Sequence, residues 1–328
     1  MATGAAKPEN DLNARSLTAI YARAAARYHK TFPEKLANLF ITRGGDQIYV
    51  APEAAAFLTE NIAGVRDMVA QKAAFMREQG WGAMATEFSA VAEDGAETRI
   101  SHLMLPEGGA AGFVSRAHPA EMNEAGVFDH EMGHFIVEGG YGEDINLAEC
   151  AADAFAALRH IQRFGGETDM AAHAARVRAD NIILYPAQTH YTSAVFEKIA
   201  ALQDAGEINI AALPLKETAA LAAKIARAAA LDGAALERVR AAYAPVRAAL
   251  AEEPPDPVRA VKELVRVLHE NSSDADICRA GRLFLDSPKI KSFIADAGLA
   301  DDPAFRIGAR AAEEGRAAKA KLPEGLTP

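Results

Sequence analysis

The sequence predicts an α+β fold, a small mixed sheet packed on a helix and followed by a mainly helical C-terminal part. Three observations predict it. Short β-leaning runs bounded by glycine turns are confined to the first 116 residues. From Phe128 onward, alanine-rich, helix-favouring segments follow one another almost without a break. Between the two stands His130-Glu131-Met132-Gly133-His134, whose spacing sets both imidazoles on one helix face. Strands grouped before helices, rather than alternating with them, are the α+β pattern.

Residues from about Asn13 to Thr31 read as a first helix, stopped before Pro33. Leu39-Phe40-Ile41-Thr42 and Gln47-Ile48-Tyr49-Val50 flank Arg43-Gly44-Gly45-Asp46 and read as a hairpin. One long helix is expected from Glu53 to Gln79, ending at Gly80. Glu87 to Ala92 and Glu97 to Leu105 read as strands joined through Asp94-Gly95. A further short strand is expected at Gly112 to Arg116, after the Gly108-Gly109 break. Helices are then expected over 127–138, 147–164, 167–184, 191–205, 216–230 and 233–251. Three prolines within Glu253-Pro254-Pro255-Asp256-Pro257 cannot continue a helix and mark a linker. Beyond it, 258–270, 275–285 and 288–297 form a small helical region, and the last twenty residues are charged and alanine-rich. The expected organisation is 1–126 for N-terminal helices and sheet, 127–251 for the motif helices and a helical subdomain, and 258–328 for a C-terminal helical region.

Composition narrows the function classes. At 328 residues, half of them hydrophobic and 24% charged, the chain resembles an ordinary globular protein. A formal net charge of -10 argues against a nucleic-acid partner, which would favour a basic face. No apolar run approaches the roughly 20 residues that span a bilayer. No apolar stretch follows Lys7, so no secretory signal is expected and the location is read as cytoplasmic. Only Cys150 and Cys278 occur, which excludes a disulfide framework and a cysteine-based zinc site. Cys150 is read as buried packing.

The motif carries the chemistry. Histidines at i and i+4 on a helix can share one metal ion, at about 2.0–2.1 Å each. Glu131 is rotated about 100° from that face. It is therefore placed to take a proton from water as a general base rather than to ligate. A catalytic zinc needs a third protein ligand and an open position. Asp144 is one option, but Gly142-Glu143-Asp144 reads as a solvated loop. Glu149 is the better one, in the first turn of a helix that Asn146 would cap; the competing reading makes Glu149 the partner of Asn146 in a capping box. Asp153, one turn later on the same face, could accept from a ligating imidazole, or stand as a solvated helix charge. Gly133 costs about 1 kcal/mol inside a helix, and close approach of the 147–164 helix would compensate.

His130-Glu131-x-x-His134 with Glu149-x-x-x-Asp153 resembles the gluzincin branch of the zincin metallopeptidases over roughly residues 97–160. The glycine within the motif is also similar to the regulatory, intracellular group related to the ImmA/IrrE proteins. The resemblance implies a zincin-like fold and Zn2+ held by His130, His134 and Glu149. It also implies Glu131 as base and Asp153 as support for a histidine ligand. A mixed sheet would precede the motif helix, its edge strand binding extended peptide, with Arg99 to Leu105 or Gly112 to Arg116 as candidates. The chain departs from the best-known secreted members in the short spacing of fourteen residues between His134 and Glu149. Family members commonly add a histidine or tyrosine that stabilises the oxyanion. His190 and Tyr191, at a break between two helices, are the candidates here; the alternative is a half-buried pair at a helix start. His29, His102, His118, His160, His173 and His269 are read as structural.

The expected function is hydrolysis of peptide bonds in a peptide or protein substrate, with zinc and a glutamate base. A zincin-fold regulatory or binding protein without general proteolytic activity is the alternative. Hydrolysis of a non-peptide amide would use the same chemistry.

Overall fold

The computed structural model describes residues 17–43, 46–60, 62–79, 83–91, 97–105, 113–185, 188–206 and 208–302. The expected helix start at Asn13, the turns at Gly44-Gly45, Asp94-Gly95 and Gly108-Gly109, the helix end at Gly80 and the last twenty residues lie outside them.

Two helices, α1 (Leu17–Thr31) and α2 (Pro33–Leu36), meet at the expected proline. The hairpin follows as β1 (Leu39–Arg43) and β2 (Asp46–Val50). The stretch read as one long helix is helical over α3 (Pro52–Glu60) and α4 (Ile62–Gln79), with residue 61 outside the described residues. Strands β3 (Met84–Val91) and β4 (Glu97–Leu105) complete a four-stranded sheet in the order β2-β1-β4-β3. β1 runs parallel to β4, and the two outer pairs are antiparallel, so the sheet is mixed. Two interior strands explain the near-continuous apolar runs of Leu39–Ile41 and Leu103–Leu105, which are buried.

Two strand expectations need correction. Arg99 to Leu105 is not an edge, because β1 and β3 flank it on both sides; β3 stands at the end of the sheet. Within Gly112 to Arg116, the described residues 113–116 form no strand. The backbone N–H groups of Phe113 and Val114 both donate to the side-chain oxygen of Asn123, at 2.9 Å each. The Asn123 amide donates back to the Val114 carbonyl at 3.2 Å. One buried asparagine thus supplies the partners that a sheet ladder would have supplied.

The motif helix α5 (Ala120–Ile136) starts seven residues earlier than expected, directly after Pro119. It packs against β3 and β4. Its successor α6 (Ile145–Phe164) is capped by Asp144, whose carboxylate accepts from the Leu147 N–H at 3.0 Å. Asn146 is therefore not the cap. Helices α7 (Met170–Ile183), α8 (Ser193–Ala205) and α9 (Leu215–Ala229) follow. The expected 233–251 helix is α10 (Gly233–Ala242) and α11 (Ala244–Leu250), divided at Tyr243 because Pro245 cannot donate to the preceding turn. Past the prolines come α12 (Pro257–Glu270), α13 (Ala275–Leu285) and α14 (Pro288–Asp296), close to their expected bounds. Among the described residues no helix is long and apolar enough to cross a membrane.

The chain divides into two compact units. The first holds the sheet, α5 and residues 151–168 and 209–223. The second holds the described residues within 143–150, 169–208 and 224–302. In the second, α7 packs against α8 and α13, and α11 against α12. Tyr191, Val239, Tyr243, Leu264 and Phe284 lie in its core. Cys150 and Cys278 are both buried, the Cys150 thiol donating to the Asn146 side-chain oxygen at 3.8 Å.

Candidate metal centre

α5 is buried around its whole middle: every residue from Phe128 to Gly133 is shielded, polar ones included. A helix with that exposure must satisfy its polar side chains internally. It does so pair by pair. Asp129 accepts from the Tyr28 hydroxyl at 2.5 Å and from Arg163 at 2.8 Å, while Arg159 donates to the same tyrosine at 2.9 Å. His130, the next residue, sets its Nδ1 2.7 Å from the carboxylate of Asp153, which is fully buried. Asp153 is therefore a buried partner of the first motif histidine, not a solvated helix charge.

His134 is anchored differently. Its Nδ1 lies 2.7 Å from the carbonyl oxygen of Gly140. A carbonyl only accepts, so Nδ1 carries the hydrogen and Nε2 presents its lone pair. Gly140 can come this close only without a side chain. A Cβ there would meet the carbonyl oxygens of Gly133, His134 and Val137 at 2.5, 2.8 and 3.0 Å. Gly133 has the role the sequence suggested: a Cβ would lie 2.8 Å from the Ala152 Cα and 3.3 Å from the Phe155 Cβ of α6. Glycine at that point lets the two helices touch along the stretch that brings Asp153 to His130.

With both Nδ1 atoms engaged, the Nε2 atoms remain as ligand positions; the two rings stand 5.0 Å apart and nearly perpendicular. Glu149 sits one turn before Asp153 on the continuous helix α6. One ligand atom each from His130, His134 and Glu149 lie within 4.8 Å of one another. Two ligands about 2.1 Å from a tetrahedral ion are about 3.4 Å apart, so small side-chain rotations close the shell. Two imidazoles fixed by outer partners and one carboxylate make a donor set that fits a divalent metal ion. The capping-box alternative for Glu149 fails, since the helix cap is Asp144 and the Asn146 side chain is engaged elsewhere.

Of the two oxyanion candidates, His190 is near Glu149, its Nε2 3.5 Å from the carboxylate oxygen. Tyr191 is a core residue of the second unit. It is 3% exposed and its hydroxyl donates to the Asp276 carbonyl at 2.7 Å; burial holds its phenol well above the usual range. His102 is fully buried in β4, stacked on Phe40 at 4.8 Å with Nε2 3.0 Å from the Thr42 hydroxyl. Burial, with a smaller contribution from Lys72, lowers its pKa to about 3, so it is a neutral core residue. His160 is buried against Phe164 and bonded to Thr168.

Three contributors escaped the sequence reading. Gly140 acts through its carbonyl, which no residue type advertises. Asn123 shapes the segment whose Phe113 ring stands 5.9 Å from that of His130. The Asp129–Arg163–Tyr28 group joins residues more than thirty positions apart. A charged residue inside an apolar helical run, as Asp129 is, was the available signal. No family model, curated protein or solved structure matches the chain.

Proposed function

We propose that this protein is a zinc-dependent metallopeptidase of the gluzincin type. The observation that carries the reading is the double anchoring of the motif histidines, by Asp153 and by the Gly140 carbonyl, with Glu149 within 4.8 Å. A His-His-Glu set suits zinc and leaves one coordination position for solvent or substrate. Bound zinc would polarise the scissile carbonyl and acidify the attacking water.

The chain's own residues do the rest. Glu131, rotated off the ligand face of α5, takes the proton from the attacking water and delivers it to the departing amine. His190, beside Glu149, donates to the oxygen that gains charge as the carbonyl is attacked. β3, at the end of the sheet, offers an outer edge along which an extended peptide can add as a further strand.

Glu131→Gln tests the assignment. It keeps the shape of the side chain, so zinc content is expected to stay stoichiometric while cleavage of a peptide library falls about 10²–10⁴-fold. His130→Ala is expected to lose both metal and activity. Full cleavage by Glu131→Gln removes Glu131 as the base. Stoichiometric zinc in a wild-type protein that cleaves nothing favours the sensor or scaffold alternative.

A further inference from the structure

Asn146 stands at the second residue of α6 and is 2% exposed. Its side-chain nitrogen donates to the carbonyls of Thr189 and Tyr191, at 2.9 and 3.3 Å. Its side-chain oxygen accepts from the Leu231 N–H at 2.9 Å. Two acceptors on one side and a donor on the other admit a single orientation of the amide. The two carbonyls bracket His190, which ends the 3₁₀ turn Gln188–His190.

The imidazole side chain is 44% exposed, so packing does not hold it. Hydrogen bonds do. The Thr189 hydroxyl lies 3.1 Å from Nδ1, and Nε2 then points toward Glu149 at 3.5 Å. Tyr191, sunk in the core, pegs the next residue in place. Asn146 and Glu149 are three residues apart on one helix and share a face. A clamp built on Asn146 therefore keeps His190 in register with Glu149.

We propose that Asn146 is a positioning residue for His190: its amide grips the main chain on both sides of the histidine and fixes the imidazole beside Glu149. This rests on the reading above in taking His190 to act on substrate. Replacement by aspartate would set a carboxylate against two carbonyls, and serine, with one O–H, lacks the reach and the second donor. The side-chain type is dictated by the partners.

The test compares Asn146→Ala, Thr189→Val and His190→Ala in the zinc-loaded full chain. Amide exchange over 188–192, zinc content, and kcat and KM on a cleaved library peptide are read together. Asn146→Ala is expected to speed exchange over 188–192, keep zinc, and lower kcat about 10–100-fold with KM little changed. In a His190→Ala background it is expected to add no further loss. Thr189→Val, which spares the buried clamp, is expected to give a smaller loss that also vanishes in that background. Unchanged exchange over 188–192, or losses that multiply with those of His190→Ala, would overturn the proposal. If Asn146→Ala does not fold, Thr189→Val against His190→Ala decides by the same rule. If the wild type cleaves no peptide, the peptidase reading falls. The exchange result then decides the clamp alone, faster exchange sustaining it and unchanged exchange removing it.

Discussion

Beneath the motif helix, buried polar side chains meet one another: Tyr28 and Arg163 converge on Asp129, and His130 meets Asp153. In the second unit several end on the main chain instead, beside side-chain pairs such as Arg279 with Glu197. Tyr191 donates to the Asp276 carbonyl, Tyr243 to that of Ile277, Ser193 to that of Ala175 and Arg247 to that of Ile182. The difference bears on function. A pair of side chains is satisfied only at one rotation of each helix about its axis, so consecutive residues Asp129 and His130 fix which way α5 presents its ligand atoms. A side chain ending on a carbonyl ties one helix to another without demanding a particular partner side chain. His130 is oriented by the first kind of contact, and His134, through the Gly140 carbonyl, by the second.

The largest expected effect breaks the first kind of contact. Asp129→Ala removes the carboxylate that accepts from both the Tyr28 hydroxyl and Arg163. Removing one partner of a buried ionic pair costs about 3–5 kcal/mol. Chemical denaturation is expected to show a loss of that size, and a loss under about 1 kcal/mol would mean that Asp129 does not hold α5.

A second effect, of similar or smaller size, comes from the sheet of the same unit. His102 has a folded pKa of about 3 against 6.5 when free. Between those values the unfolded chain binds a proton that the folded chain refuses, so stability falls as pH drops from about 6.5 toward 3. Each pKa unit is about 1.4 kcal/mol, and the full window amounts to a few kcal/mol. Carboxylates titrate in the same range, and His102→Asn separates the two: its stability is expected to vary less with pH than that of the wild type. Parallel pH profiles of the two proteins would show that His102 is not the neutral core group described.

How much of this was legible beforehand follows from the range of each contact. The two motif histidines, Asp153 on the face of Glu149 and the small residue at Gly133 are read from helical periodicity, which acts over a single turn or two. Helix ends at prolines are equally local, and α12 to α14 fell within a residue of expectation. What was misread depends on distant partners. Asn146 has the chemistry of a helix cap, but bonds at Thr189, Tyr191 and Leu231 use its side chain, leaving the cap to Asp144. Phe113 and Val114 have strand propensity, but the Asn123 amide takes their N–H groups first. The neighbours of β4 were hidden because a parallel partner, β1, arrives from more than fifty residues away.

The smallest expected effect tests the second kind of contact. Tyr243→Phe removes a hydroxyl 2.5 Å from the Ile277 carbonyl, in a fully buried position. The Gly281 N–H, four residues on in α13, also reaches that hydroxyl, and once it is deleted the N–H and the Ile277 carbonyl remain helical partners of each other. Deleting the hydroxyl therefore orphans nothing, and the ring keeps its place in the core. The net worth of such a bond is about 0.5–1.5 kcal/mol, and the denaturation midpoint is expected to shift by no more than that. Asp129→Ala removes the charged acceptor that Tyr28 and Arg163 share, whereas Tyr243→Phe leaves its acceptor satisfied. If the two substitutions cost the same, the contrast between side-chain pairing under α5 and main-chain attachment in the second unit has no energetic content.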